Sequence, residues 1–274
     1  MAYKRILTIQ DISCVGQCSM TVALPILSAC GHETCILPTA VLSTHTGGFG
    51  KPAVVHLDSA LESMWRHWME QGVTFDAIYT GYLGSIGAVE AAIQIADELL
   101  APEGLLIVDP AMADHGKLYS GLTEDYAAAM AKLCRKADIL LPNLTEAAML
   151  TGTEYREIMD EHYVNHILEL LPAPAVVLTG IGDTPGTTGA AIKQGCFCSR
   201  ISHRRVERNF HGTGDIFAAA FVGALMRGKA LNHAVQIAAD YVLRCIDITM
   251  EAPAHWYGVR FESALGYLME LLNA

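Results

Sequence analysis

The chain has 274 residues, 52% of them hydrophobic and 17% charged, enough for a large buried core without metal or disulfide staples. Its formal net charge of −11 argues against nucleic acid as an obligatory partner, while an anionic small ligand stays admissible because helix N-termini and a few basic side chains can hold one. No stretch reaches the roughly eighteen apolar residues of a membrane span and the first residues lack a signal-peptide core, so a cytoplasmic chain with no membrane partner is expected.

In chain order, "RILTIQD" reads as a short buried strand and "QCSMTVALPILSACG" as a helix ending at Gly31. "ETCILPTAVLS" is extended, and "SALESMWRHWMEQG" is a helix stopped by Gly72. "FDAIYTGYLG" is a strand running into a glycine turn, followed by the helix "AVEAAIQIADELL". "GLLIVDPAM" is a strand ended by proline, "EDYAAAMAKLCRKA" a helix and "DILLPN" a strand. "TEAAMLTG" and "YREIMDEHYVNHILELL" are helices, and "AVVLTG" is a strand. "TTGAAI" and residues 196–206 read as a hairpin or a local antiparallel addition, and three helices finish the chain. The 8 cysteines fall mostly in apolar stretches and are expected to be reduced core thiols. With no linker or repeat in view, residues 1–274 read as a single domain.

Alternating strands and helices predict an α/β fold: a doubly wound, mostly parallel sheet with helices on both faces. Ligands of such sheets bind beyond the C-terminal strand ends. The residues standing there are Asp11, Gly81-Tyr82, Asp109, Asn143 and Thr179-Gly180. They recur at the spacing of successive βα units, so polar groups collect along one sheet edge.

Three glycine-rich stretches compete for a phosphate. "GGFGKP" fails the P-loop pattern, since Pro52 stands where a Ser or Thr is needed. "GIGDTPG" is too long for a dinucleotide fingerprint and precedes a strand-like segment. "NFHGTGDIFAAAFVGALMRG" is different. Gly212 and Gly214 permit close backbone approach, and the helix behind them points free N–H groups outward. That makes an anion hole for a transferring phosphoryl group. Asp215 beside it stays ionised under the helix dipole and accepts a proton from a substrate alcohol. The alternative is that Asp215 only stabilises the first helical turn.

"GTGD" opening an alanine-rich helix resembles the ribokinase-like superfamily. "DILLPNLTEAAMLTG" resembles its Asn and Glu segment, and "IVDPAMADHGKLYSG" its Asp-Pro strand end and flap. "LSTHTGGFG" and "YTGYLGS" resemble the pyridoxal/pyridoxamine kinase branch. The resemblance spans essentially the whole chain. It implies an ATP- and Mg²⁺-dependent kinase acting on the 5′-hydroxymethyl group of a vitamin B6 vitamer, and a homodimer. A monovalent cation requirement and the preferred vitamer stay open.

Carried onto this sequence, the resemblance implies Asp215 as general base, with Gly212, Thr213 and Gly214 as the anion hole. Asp109, Asn143 and Glu146 would organise Mg²⁺ and the ATP phosphates, with Asp109 and Glu146 on the metal, partly through water. Thr179 and Gly180 would line the nucleotide side. Thr46 and Tyr82 would contact the pyridine, with His45 nearby. Asp114 and Tyr119 would belong to a flap over ATP.

Each has a plainer reading. Asn143 and Glu146 fit a helix capping box. Asp109 before proline fits a turn, Tyr82 fits core packing, and His45 fits a hydrogen-bonded structural histidine. Two departures stand out: B6 kinases usually carry serine where this chain has Asp11, and Gly-Asn where it has Ser19-Met20. An aspartate can pair with a ring N–H⁺ or an amine; it can also turn away and cap the loop. Two rivals remain: a hydroxymethylpyrimidine kinase on the same fold, against which the missing "GGAG" segment counts, and a non-catalytic B6-binding protein.

Overall fold

The computed structural model describes residues 3–157, 160–182, 184–208, 210–252 and 254–274. Ile158, Met159, Asp183 and Asn209, which fall in stretches singled out above, lie outside the described residues.

The strands are β1 (Arg5–Ser13), β2 (Glu33–Leu42), β3 (Val54–His56), β4 (Phe75–Thr80), β5 (Leu100–Val108), β6 (Ala113–Asp114), β7 (Lys117–Leu118), β8 (Ile139–Leu140), β9 (Ala175–Thr179), β10 (Thr187–Gln194) and β11 (Phe197–Arg204). The helices are α1 (Met20–Ala29), α2 (Asp58–Glu70), α3 (Ile86–Leu99), α4 (Glu124–Cys134), α5 (Leu144–Thr151), α6 (Glu161–Leu170), α7 (Thr213–Met226), α8 (Leu231–Met250) and α9 (Leu265–Asn273). One sheet has the order β11-β10-β9-β8-β5-β4-β1-β2-β3. Pairing is parallel from β2 across to β9. It is antiparallel where β3, β10 and β11 extend the edges. This is the expected doubly wound arrangement, with the hairpin on one side.

Strands buried on both faces must be apolar on both. Leu7, Ile9 and Ile78 pack with Val89, Ala92 and Ile95 of α3 on one face. Ile6, Tyr79 and Ile107 pack with α1, α7 and α8 on the other. Chain order turns around at β1, which is flanked by β2 and β4. The crevice at such a reversal is where ligands bind in open α/β sheets.

Several expectations need correction. The first strand does not stop at Asp11 but runs to Ser13, with a register shift against β2 between Gln10 and Ile12. Asp11 therefore sits at a bulge, a device that re-aims a side chain. The helix expected from Tyr155 starts only at Glu161, where Asp160 accepts the Tyr163 N–H at 2.7 Å; Tyr155 and Arg156 precede it in irregular structure. The first helix begins at Met20 rather than near Gln17. β3 and the β6–β7 hairpin had no periodic signal, being three and two residues long. The thiols are not a core set either: Cys30, Cys134 and Cys245 are buried, but Cys14, Cys196 and Cys198 are exposed. Neighbouring apolar residues were misleading there because Cys196 and Cys198 sit at the outer end of the β10–β11 hairpin.

Candidate active site

A cleft of about 680 Å³ runs along the C-terminal strand ends, and every site residue named from the sequence lines it. Asp11 comes from β1, Thr46 follows β2, Tyr82 follows β4 and Asp109 follows β5. Asn143 follows β8 and Thr179 closes β9. The amide N–H of Asp11 donates to the Tyr82 carbonyl at 3.1 Å, and that of Asp109 to the Thr80 carbonyl at 3.0 Å, so sheet-type bonding fixes these ends.

Gly212 takes φ 80°, and the first internal bond of α7 runs from Ile216 N–H to its carbonyl at 3.0 Å. The amides of Thr213, Gly214 and Asp215 thus precede the helical ladder, at the positive end of the helix. An added Cβ at Gly212 would stand 1.9 Å from the Gln17 carbonyl oxygen, whereas one at Gly214 would meet no protein atom. Gly212 is needed for the fold and Gly214 for the open space before it.

Asp215 does not stay an ordinary carboxylate. Burial pushes its pKa up to about 7, the Ser19 N–H offsets part of this, and the Asp11 charge adds to it. Desolvation at the cleft floor outweighs the helix dipole. A carboxyl titrating near neutrality is well matched to a general base. Asp109 is raised well above the usual carboxylate range by burial, then by the Glu146 and Asp215 charges. Its Oδ1 accepts the Ala111 N–H at 3.1 Å, in a turn where Ala111 takes φ 33°.

Asn143 and Glu146 do form a capping box on α5. They also hold the β6–β7 hairpin. Glu146 Oε1 accepts from Met112 N–H at 2.9 Å and Ala113 N–H at 3.4 Å, and Oε2 accepts from Asn143 N–H at 2.9 Å. Asn143 Nδ2 donates to the Ala113 carbonyl at 2.7 Å, and Gly116 N–H donates to Thr145 Oγ1 at 3.0 Å. One helical turn therefore caps itself and anchors the β6–β7 hairpin that carries Asp114. Burial raises Glu146 to about 7, against three N–H bonds that lower it.

Glu146→Gln separates the two duties. An amide must turn one NH₂ toward a backbone donor, so stability should fall by about 1–3 kcal/mol. Thermal unfolding measures that. If Glu146 also serves Mg²⁺, part of the lost turnover returns at high Mg²⁺. An unchanged Mg²⁺ dependence leaves it a capping and flap-holding residue.

His45 lines the cleft, but both ring nitrogens are used. Nδ1 accepts the Gly47 N–H at 2.9 Å, which makes Nε2 the donor to the Tyr257 carbonyl at 3.1 Å. Burial lowers its pKa, keeping it neutral. It contributes ring surface beside Phe49 and His211. Tyr82 is no core residue: its ring lies 6.4 Å from that of Tyr119 in the flap. Thr179 is tied to Pro142 by its N–H at 2.9 Å, and Gly180 follows at φ 78°.

The sequence reading missed one set of lining residues: His203, Arg204, Arg205 and Arg208. The signal was present as "HRRVER", a basic run in an acidic chain just ahead of "HGTGD". Arg204 is paired with Asp247, and the Arg208 guanidinium lies 5.0 Å from the Phe210 ring centroid.

A cleft at the strand ends of a ribokinase-like sheet, with an aspartate behind two glycines on a helix N-terminus, defines a small-molecule kinase. A family model described as phosphomethylpyrimidine kinase matches residues 24–259. The chain belongs to that family. Pyridoxal kinase from Lactobacillus plantarum superposes with TM-score 0.91 at 33% identity, covering 98% of each chain. A Bacteroides thetaiotaomicron protein described as a phosphomethylpyrimidine kinase, in a crystal form with pyridoxal, superposes with TM-score 0.91 at 31% identity, covering 97% of this chain and 96% of its own. Pyridoxal kinase PdxY of Deinococcus radiodurans is 27% identical over 259 residues, 90% of this chain and 87% of that protein.

Proposed function

We propose that the chain phosphorylates the 5′-hydroxymethyl group of a vitamin B6 vitamer with ATP. The observation that carries this is the position of Asp215. It stands in the first turn of α7 behind the Thr213 and Gly214 amides, with Asp11, Thr46 and Tyr82 in the same cleft as Asp109, Asn143 and Thr179. A vitamer held by the first group presents its hydroxyl to Asp215, which takes the proton as the oxygen attacks the γ-phosphorus; the bond from that phosphorus to the β,γ-bridging oxygen breaks and ADP leaves with the electron pair. The helix amides receive the charge that spreads over the phosphoryl oxygens. Apolar side chains of α8, among them Val235, Ala239 and Val242, line the nucleotide end and suit a purine ring.

The donor set fits Mg²⁺. Asp109 offers a hard oxygen with one lone-pair side uncommitted, and like charges from Glu146 and Asp215 raise its pKa until a cation compensates. No group of three or more His, Cys, Asp or Glu among the described residues forms an all-protein metal cage. Mg²⁺ is commonly held by one or two carboxylates plus substrate phosphates. Asp109 would hold it directly and Glu146 through water, and the ion would neutralise the phosphate oxygens.

A second reading is a hydroxymethylpyrimidine kinase: the family model is described as phosphomethylpyrimidine kinase, and a Bacillus subtilis relative, 27% identical over 178 residues, is named hydroxymethylpyrimidine/phosphomethylpyrimidine kinase. An ADP-release assay with pyridoxal, pyridoxine, pyridoxamine and hydroxymethylpyrimidine decides between them. Turnover on the vitamers supports the first reading, and turnover on the pyrimidine alone overturns it. We also place the enzyme in the cytoplasm as a homodimer. No helix among the described residues is long and apolar enough to cross a membrane. The edge strand β3 exposes Val54 and Val55, a surface a second copy would cover. Light scattering on the purified chain checks the mass.

A further inference from the structure

Asp11 and Ser19, the two departures from the B6-kinase pattern, meet in the fold. Asp11 is 3% exposed, and its Oδ2 accepts the Ser13 hydroxyl at 3.1 Å. Its Oδ1 is buried without a hydrogen-bond partner, in a residue that lines the cleft. Ser19 precedes α1 with φ 49° and ψ −130°, a conformation that suits glycine and strains a serine. The Ser19 hydroxyl acts on the Asp11 carboxyl, and its N–H acts on Asp215. The groups that favour ionised Asp11 are two hydroxyls and its own backbone N–H, with no cation among them; burial wins and raises its pKa.

A buried carboxylate with an unused oxygen is costly unless a donor reaches it, and a cationic donor compensates it best. Asp11 itself lines the cleft, so a bound ligand is the source that can supply the missing donor. All B6 vitamers share the ring nitrogen; they differ at C4, the carbon next to the one bearing the hydroxymethyl arm. The ring nitrogen lies across the ring from C4. Asp11 lines the same cleft as Asp215, the group that addresses that arm. A carboxylate on the base's side of the pocket meets the C4 substituent.

We infer that Asp11, supported by Ser19, is the receptor for the C4 ammonium of pyridoxamine and makes this kinase prefer the amine over the aldehyde and alcohol forms. The inference rests on the vitamer reading above and names the substrate within it.

The test uses the full chain and its Asp11→Ser and Asp11→Asn variants. For each, kcat/KM is measured on pyridoxamine and pyridoxal at saturating ATP, with thermal unfolding as the control for folding. The pyridoxamine-to-pyridoxal ratio should fall about ten- to a hundred-fold in both variants, the worth of one charge-assisted hydrogen bond. An unchanged ratio overturns the inference, because Asp11 would then touch a shared group or none. If the serine variant does not fold, the near-isosteric asparagine carries the comparison. The wild type gives a test that needs no variant: it should prefer pyridoxamine to pyridoxine, and the reverse order overturns the idea. Turnover on hydroxymethylpyrimidine with none on any vitamer overturns the vitamer reading and this preference together. Turnover on vitamers with an unshifted ratio overturns the inference alone.

Discussion

Asp215→Asn should leave substrate and nucleotide binding close to wild type while turnover falls by ~10²–10⁴, the usual worth of a positioned general base. The side chain keeps its shape but loses its negative charge and with it the ability to take a proton. The pH profile adds a second check. With a pKa of about 7, the wild-type base is mostly protonated at pH 6, so kcat/KM should climb through pH 7 and level off above it. The asparagine variant should lose that limb. Stability should move the other way. The folded pKa lies above the ordinary carboxylate value, so the neutral form is the one the fold favours. That contribution is full below about pH 4 and is lost as pH rises toward 7. Asp215→Asn should therefore unfold at a higher temperature than wild type at pH 8, with the gap closing by pH 4. Retained turnover would remove Asp215 from the mechanism, and an equal Tm at both pH values would show that the site does not strain its charge.

Gly212→Ala and Gly214→Ala should fail in opposite ways. At Gly212 the new methyl group collides with the Gln17 carbonyl at a backbone angle of φ 80°. The positive φ alone costs roughly 1–2 kcal/mol, and the collision adds to it. Loss of Tm and of turnover should come together. At Gly214 the methyl group meets only open space, and alanine is a better helix former by about 1 kcal/mol. Stability should hold or rise while turnover falls by about 10²–10³, as when an anion-hole donor is blocked. If Gly214→Ala keeps full turnover, no substrate atom approaches that amide.

Much of this was legible because the signals are local. A buried parallel strand must be apolar, and the polar residue that ends it must face the edge where the sheet stops, so Asp109 and Asn143 could be picked from spacing. Gly212 and Gly214 before an alanine-rich helix mark an N-terminus that approaches something closely. The basic "HRRVER" run was equally visible but begins at the end of a hairpin strand and continues into the loop after it, where a charge is ordinarily just a solvated face.

Other assignments turned on what surrounds a residue. The sequence could list a capping box or a phosphate site for Asn143 and Glu146, and in the fold the same turn caps α5 and holds the β6–β7 hairpin. His45 is chemically able to bind a ligand, yet its two nitrogens are taken by Gly47 and Tyr257, residues far apart in the chain. Asp215 could be read as ionised under a helix dipole, but burial, joined by the Asp11 charge from β1, raises its pKa to about 7 against the Ser19 N–H that lowers it. The sequence by itself determined the sheet, its ligand-facing edge and the chemical types standing there, since periodicity and turn chemistry act over a few residues. Only the tertiary structure decided which of those groups are free, because burial, charge and hydrogen-bond supply at one atom are summed over segments distant in sequence. Asp11 is the sharpest case: its position was plain in "LTIQD", and its unpartnered oxygen exists only where β1, Ser19 and the cleft come together.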